Sequence, residues 1–170
     1  MTINEFVRWI YPQTKKGDIN PIFVTAQAAL ESGWGKSAIG NNLFGITKGS
    51  TWKGRTRLVT TSEYFSTSNI KFTLPESVLS IKKIGDKKYH YIVKRLFRDY
   101  DSVSDCLNDH LSILRKPQFA DAWPYRNSSC LYVRHLQDAI GCKYATSPDY
   151  VGTMDKIFGI IEKSVKEQRL

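Results

Sequence analysis

Among the residues of this chain, Glu31 is the one whose setting suits acid chemistry. It lies in the stretch from Asn20 to Thr47, NPIFVTAQAALESGWGKSAIGNNLFGIT. An Asn cap, a Pro at the first helical position, and Ile22, Phe23, Ala26, Ala29 and Leu30 at helical spacing predict a buried helix. Gly33 and Gly35 mark its end, so Glu31 falls in the last turn, where backbone carbonyls and the helix dipole disfavour negative charge. Partial burial beside Trp34 pushes the same way, towards a carboxyl that keeps its proton near neutral pH and can donate it. A glutamate near a helix end is ordinarily a solvated surface residue. The small apolar residues before Glu31 and the tight Ser32–Gly35 exit after it argue for a different environment. Asn41 and Asn42 then set side-chain amides beside Phe44, a combination that suits sugars.

A second carboxylate comes from a different kind of element. Residues 55–65, RTRLVTTSEYF, are rich in strand formers, and alternation puts Thr61, Glu63 and Phe65 on one face, Thr60, Ser62 and Tyr64 on the other. Glu63 therefore projects from a sheet, and its ordinary reading is an exposed strand glutamate near lysines. In residues 73–88, TLPESVLSIKKIGDKK, Pro75 can start a helix, Val78, Leu79, Ile81 and Ile84 follow, and Gly85 can stop it; a short extra helix or an elaborated hairpin tip fits. Residues 89–100, YHYIVKRLFRDY, read as the return strand. His90 has no second histidine spaced to help it and reads as a strand-surface residue.

The rest is helical. Thr2 to Glu5 has capping-box spacing. Ser102 can cap a helix to Arg115 with Val103, Cys106, Leu107, Leu111 and Leu114 on one face, His110 at its edge and Pro117 as the stop. Gln118 to Trp123 suits a short helical turn. Ser128 or Ser129 opens another helix through Leu131, Leu136 and Ile140, ended by Gly141. Ser147 and Pro148 start the last, with Val151, Met154, Ile157, Phe158 and Ile161 as its buried stripe. Local patterns thus predict an α+β, mainly α chain with a small antiparallel sheet.

The segment AQAALESGWGKSAIGNNLFGI, residues 26–46, closely resembles the signature of bacterial cell-wall glucosaminidases of the flagellar peptidoglycan-hydrolase and autolysin type, glycoside hydrolase family 73. TTSEYF, residues 60–65, resembles the family's β-hairpin carrying a second glutamate. FRDY, at the end of the return strand, resembles the element that closes that hairpin, and YATSPDY, residues 144–150, resembles its YATDP-type segment. The resemblance implies a lysozyme-like fold with one β-hairpin flanking the active-site groove, and a single catalytic domain over residues 1–170 with an insertion at 66–88. It implies Glu31 as general acid, Glu63 as the second carboxylate and Tyr144 as a groove residue that orients the sugar. Trp34, Asn41, Asn42 and Phe44 become candidate substrate-binding residues, with packing the equal alternative for Trp34 and Phe44. The implied reaction is hydrolysis of the β-1,4 bond after N-acetylglucosamine in peptidoglycan, with neither metal nor organic cofactor. A muramidase or lytic transglycosylase on the same fold and a non-catalytic wall-binding module are the alternatives.

Composition sets the remaining bounds. The 170 residues are 41% hydrophobic and 12% aromatic, enough for one globular domain, and 25 Lys and Arg against 16 Asp and Glu give a net charge of +9. Such charge attracts anionic partners, wall polymers among them. Zinc-ligand spacing and RNA-binding aromatic signatures are missing, so nucleic acid is not expected as a partner. Peptidoglycan glycan strands are, with the protein a monomer. The start lacks a secretory signal and no stretch has membrane length. The expected setting is therefore the bacterial cell wall, reached as a holin-released phage lysin, a secreted effector or a trimmed autolysin. Cys106, Cys130 and Cys142 lack metal-type spacing and read as free thiols, with a Cys130–Cys142 disulfide as the alternative.

Overall fold

The computed structural model describes residues 1–138 and 149–170. Tyr144, Cys142 and the expected boundary from Ile140 to Pro148 lie outside the described residues. The chain forms two compact units, Met1–Phe44 with Asp101–Leu170, and Gly45–Tyr100.

The first unit is helical. Helix α1, Ile3–Thr14, opens with the expected capping box: Glu5 N donates to Thr2 Oγ1, and Thr2 N donates to the Glu5 carboxylate. Helix α2, Pro21–Ser32, starts where the sequence says, with the Asn20 side chain accepting from Ile22 N and Phe23 N. Its middle is buried on nearly all sides, including Phe23, Ala26, Ala28 and Ala29. Helix α3, Val103–Leu114, is capped by Ser102 and followed by a 3₁₀ segment, Pro117–Tyr125, then α4, Ser129–Asp138, and α5, Tyr150–Gln168. Helix α5 packs against α1, α2 and α4. Phe23 of α2 meets Tyr132 at 4.8 Å and Phe158 at 6.4 Å between ring centroids, joining α2, α4 and α5 in one aromatic core.

Two helical faces differ from expectation. On α4 the buried apolar side chains are Tyr132, Val133 and Leu136, whereas Leu131 is exposed. The apolar pattern of this short helix is sparse, so the neighbours it meets set its rotation. On α3, His110 is not an edge residue but a core one, 2% exposed, while Leu107 and Leu111 are only half-buried. An imidazole counts as polar in a pattern of apolar residues, yet in its neutral form it packs like an aromatic ring.

The second unit is a three-stranded antiparallel sheet of β1, Thr56–Phe65, β2, Ser77–Gly85, and β3, Lys88–Arg98, in the order β1-β3-β2. Of the two readings of the 66–88 segment, the elaborated hairpin holds: it supplies a third strand, and a tight turn with Lys87 at positive φ joins that strand to β3. A helix does not form there because β3 offers a free edge of backbone donors and acceptors. Val78, Leu79, Ile81 and Ile84 suit a strand on that edge better than a helix with nothing to cover it. The alternation predicted for β1 holds, with Thr61, Glu63 and Phe65 half-buried and Thr60, Ser62 and Tyr64 exposed. Opposite them on β3, Tyr91 and Val93 are fully buried.

Candidate active site

Glu31 occupies the last turn of α2, as expected, and the helix ends in a left-handed Gly33. Trp34 N donates to Ala29 O at 2.8 Å, the long bond of a Schellman-type ending, and Gly35 N donates to Ser32 Oγ at 2.8 Å. Gly33, Trp34 and Gly35 all have positive φ, which turns the chain within three residues. At Gly35 a side chain is disfavoured twice over, by the strain of φ +80 and by the Phe6 ring, 3.3 Å from where a Cβ would sit. This exit holds the end of α2 in one conformation, and with it the backbone of Glu31.

The Glu31 side chain keeps access to solvent, yet the protein crowding its carboxyl removes enough water to raise its pKa above the ordinary value. One turn earlier, Gln27 is fully buried and donates to the Tyr150 hydroxyl at 2.9 Å. Tyr150 is pushed well above the usual phenol range by burial, against the Gln27 hydrogen bond, with a smaller push from the charge on Glu31. A neutral hydroxyl and a carboxyl that releases its proton less readily than an ordinary glutamate therefore sit at this end of the helical core.

The other expected residues are placed as follows. Trp34 is half-buried, its ring edge-on to Phe6 at 5.7 Å. Asn41 donates through Nδ2 to Asp101 O at 3.0 Å, tying the loop after α2 to the start of the α3 segment. Asn42 and Phe44 are 1% and 8% exposed and pack the loop from within. Phe44 stacks on His110 at 3.7 Å, and burial lowers the His110 pKa to about 3, against a smaller upward push from Asp109. That imidazole stays neutral across the physiological range and is no proton shuttle. Cys106, with its thiol pushed up to about 11 by burial, is likewise a core group rather than a nucleophile.

Glu63, in the β unit, meets Arg95 of β3, whose Nη1 donates to its carboxylate at 3.3 Å. Arg95 Nε donates to Glu76 at 3.1 Å, and Glu76 also accepts from Leu96 N at 2.8 Å. Half-exposed pairs of this kind are worth about 0.2–1 kcal/mol each, too little to decide folding but enough to fix where a carboxyl points. Sequence reading missed both Arg95 and Glu76. The signal it could have used was the β-branched content of residues 78–84, which makes Glu76 the entry to a strand rather than the first turn of a helix. Among the described residues no group of His, Cys, Asp and Glu is arranged to hold a metal.

The family described as glucosaminidase, mannosyl-glycoprotein endo-beta-N-acetylglucosaminidase, matches residues 9–164. The chain belongs to this family. Its fold is the lysozyme-like, mainly helical α+β one. Peptidoglycan hydrolase FlgJ of Escherichia coli K12 is 35% identical to it over 135 residues, 75% of this chain and 35% of that protein. FlgJ of Pseudomonas aeruginosa is 29% identical over 166 residues, 91% of this chain and 36% of that one. A probable N-acetylmuramidase of Lactococcus lactis is 27% identical over 156 residues. The chain spans about a third of the length of these curated relatives. The glycoside hydrolase domain of Salmonella typhimurium FlgJ has the same fold, with a TM-score of 0.73 at 24% identity over 99% of this chain and 94% of that one.

Proposed function

We propose that this glucosaminidase-family domain hydrolyses the β-1,4 bond between N-acetylglucosamine and N-acetylmuramic acid in peptidoglycan, with Glu31 as general acid. The observation that carries the reading is the setting of Glu31: a carboxyl on a rigid helix end, open to solvent, with its pKa raised by the surrounding protein. Such a group holds its proton more tightly than an ordinary glutamate and can deliver it to the departing glycosidic oxygen. Glu63 takes the opposing role, activating water or stabilising the oxocarbenium-like centre, and Tyr144 orients the sugar. Trp34 and Asn41 are the groove contacts, while Asn42 and Phe44 hold the loop that carries Asn41. The whole chain acts as one catalytic domain, a monomer working at the bacterial cell wall on glycan strands, where its +9 charge favours anionic polymers.

A second reading has a specific observation behind it, the similarity to probable N-acetylmuramidases. It moves the cleaved bond to the other side of the repeat and keeps Glu31 as acid. End-group chemistry separates the two. Purified peptidoglycan is digested, the new reducing ends are reduced with borohydride, and the products are identified by mass spectrometry beside a Glu31→Gln control. Reduced N-acetylglucosamine ends that vanish in the variant are the expected result. Reduced or anhydro muramic ends would transfer the specificity to the second reading, and an absence of new ends on several wall types would leave a binding role.

A further inference from the structure

We infer that Arg95 is a positioning residue for Glu63, and that the 66–88 segment exists in part to supply the Glu76 that holds Arg95 in place. The inference rests on the proposed role of Glu63.

Three observations converge on it. Arg95 stands opposite Val59 in the β1–β3 register, whereas Glu63 stands opposite Tyr91, so the guanidinium must reach along the sheet to make its bond. A long side chain reaching sideways needs a second anchor to stay there. Glu76 is that anchor: it accepts from Arg95 Nε and is itself pinned by Leu96 N, with its side chain 19% exposed. The segment between β1 and β2 then closes over the arrangement. Phe72 lies beneath the Arg95 guanidinium, 5.1 Å from ring centroid to Cζ, and also meets Phe65 of β1 at 6.3 Å. Thr67 O accepts from the Tyr91 hydroxyl at 2.8 Å, fastening the start of the same segment to β3.

The charge balance has a chemical consequence. One guanidinium is shared by two carboxylates, so Arg95 orients Glu63 without cancelling its charge. A carboxylate meant to face developing positive charge, or to take a proton from water, needs this combination of fixed direction and remaining negative charge. Removing Arg95 should therefore act on turnover rather than on substrate affinity.

The test measures kcat and KM of the full chain on soluble glycan fragments, with thermal melting of every variant. Glu63→Gln comes first, and a large loss of kcat is expected. Arg95→Met should lower kcat roughly tenfold with KM within about twofold, and Arg95→Lys should recover only part of it, because an ammonium lacks the planar fork that grips two carboxylates. Glu76→Ala should lower kcat several-fold, and Glu76→Gln, which keeps the acceptor for Leu96 N and Arg95 Nε but loses the shared charge, should restore only part of it. In a Glu63→Gln background Arg95→Met should cost nothing more, as for residues acting through one group. Should Arg95→Met melt too low to assay, Arg95→Lys and the Glu76 pair decide the matter. Wild-type kcat in a folded Arg95 variant, beside an inactive Glu63→Gln, overturns the inference and leaves the role of Glu63 standing. A fully active Glu63→Gln removes that role and the inference together.

Discussion

At the residue scale Glu31 and His110, both with displaced proton affinities, behave oppositely. Glu31 is raised by burial, so activity that needs its proton falls as pH rises through its folded pKa. Stability moves the same way. The unfolded chain releases that proton at lower pH than the fold does, so folding is favoured most below the unfolded value and less as pH rises through the folded one. Glu31→Gln is thus expected to lose roughly 10²–10⁴-fold in activity, with a melting temperature equal to wild type at low pH and slightly higher at neutral pH. A lower melting temperature at neutral pH would show Glu31 to be structural. His110 is lowered to about 3 from 6.5, so the fold keeps it neutral while the unfolded chain protonates it. Its contribution is complete above about 6.5 and drains away as pH falls towards the folded value. Melting measured between those limits should show a flatter pH dependence for His110→Gln than for wild type, whatever the variant's starting stability.

Elements differ in what they can lose. The cap of α2 does double duty, since Asn20 Oδ1 accepts from two backbone amides and its Nδ2 donates to Asn127 O at 3.0 Å. Asn20→Ala should cost about 1–2 kcal/mol in urea unfolding, and because the cap lies at the far end of α2 from Glu31, activity in the folded state should be little changed. In the sheet, β3 is central and β2 is an edge. Leu79 and Ile81 of β2 are 51% and 43% exposed, whereas Tyr91 of β3 is fully buried. Lysine at either β2 position should stay within about 0.5 kcal/mol of wild type, while Tyr91→Ala should cost about 3–5 kcal/mol. Equal costs would mean that β2 carries core packing that its exposure does not suggest.

At the scale of the whole molecule, the +9 charge predicts a long-range attraction to anionic wall polymers that salt screens. Glu31→Gln protein, expected under the proposed function to bind without cutting, should sediment with insoluble peptidoglycan at low ionic strength and be released progressively towards about 0.5 M salt. Retention undiminished by salt would place the affinity in close contacts instead. Legibility from the chain divides along a physical line at this same scale. Helix α2, its Asn20 cap, its Gly33 exit and the place of Glu31 in the last turn could be read directly, because each signal acts within a few residues of its effect. The outward and inward faces of β1 were legible for the same reason. Strand β2 was not: Pro75 and the spacing of Val78, Ile81 and Ile84 serve a helix as well as a strand, and the free edge of β3 settled it. The faces of α3 and α4 were decided by what packs on them, which is why His110 is inside and Leu131 outside. The carboxylate pair around Arg95 was furthest from view. Its partners lie 32 and 19 residues away in sequence, and only the strand register, with the segment folded over it, brings Glu63 and Glu76 to one guanidinium.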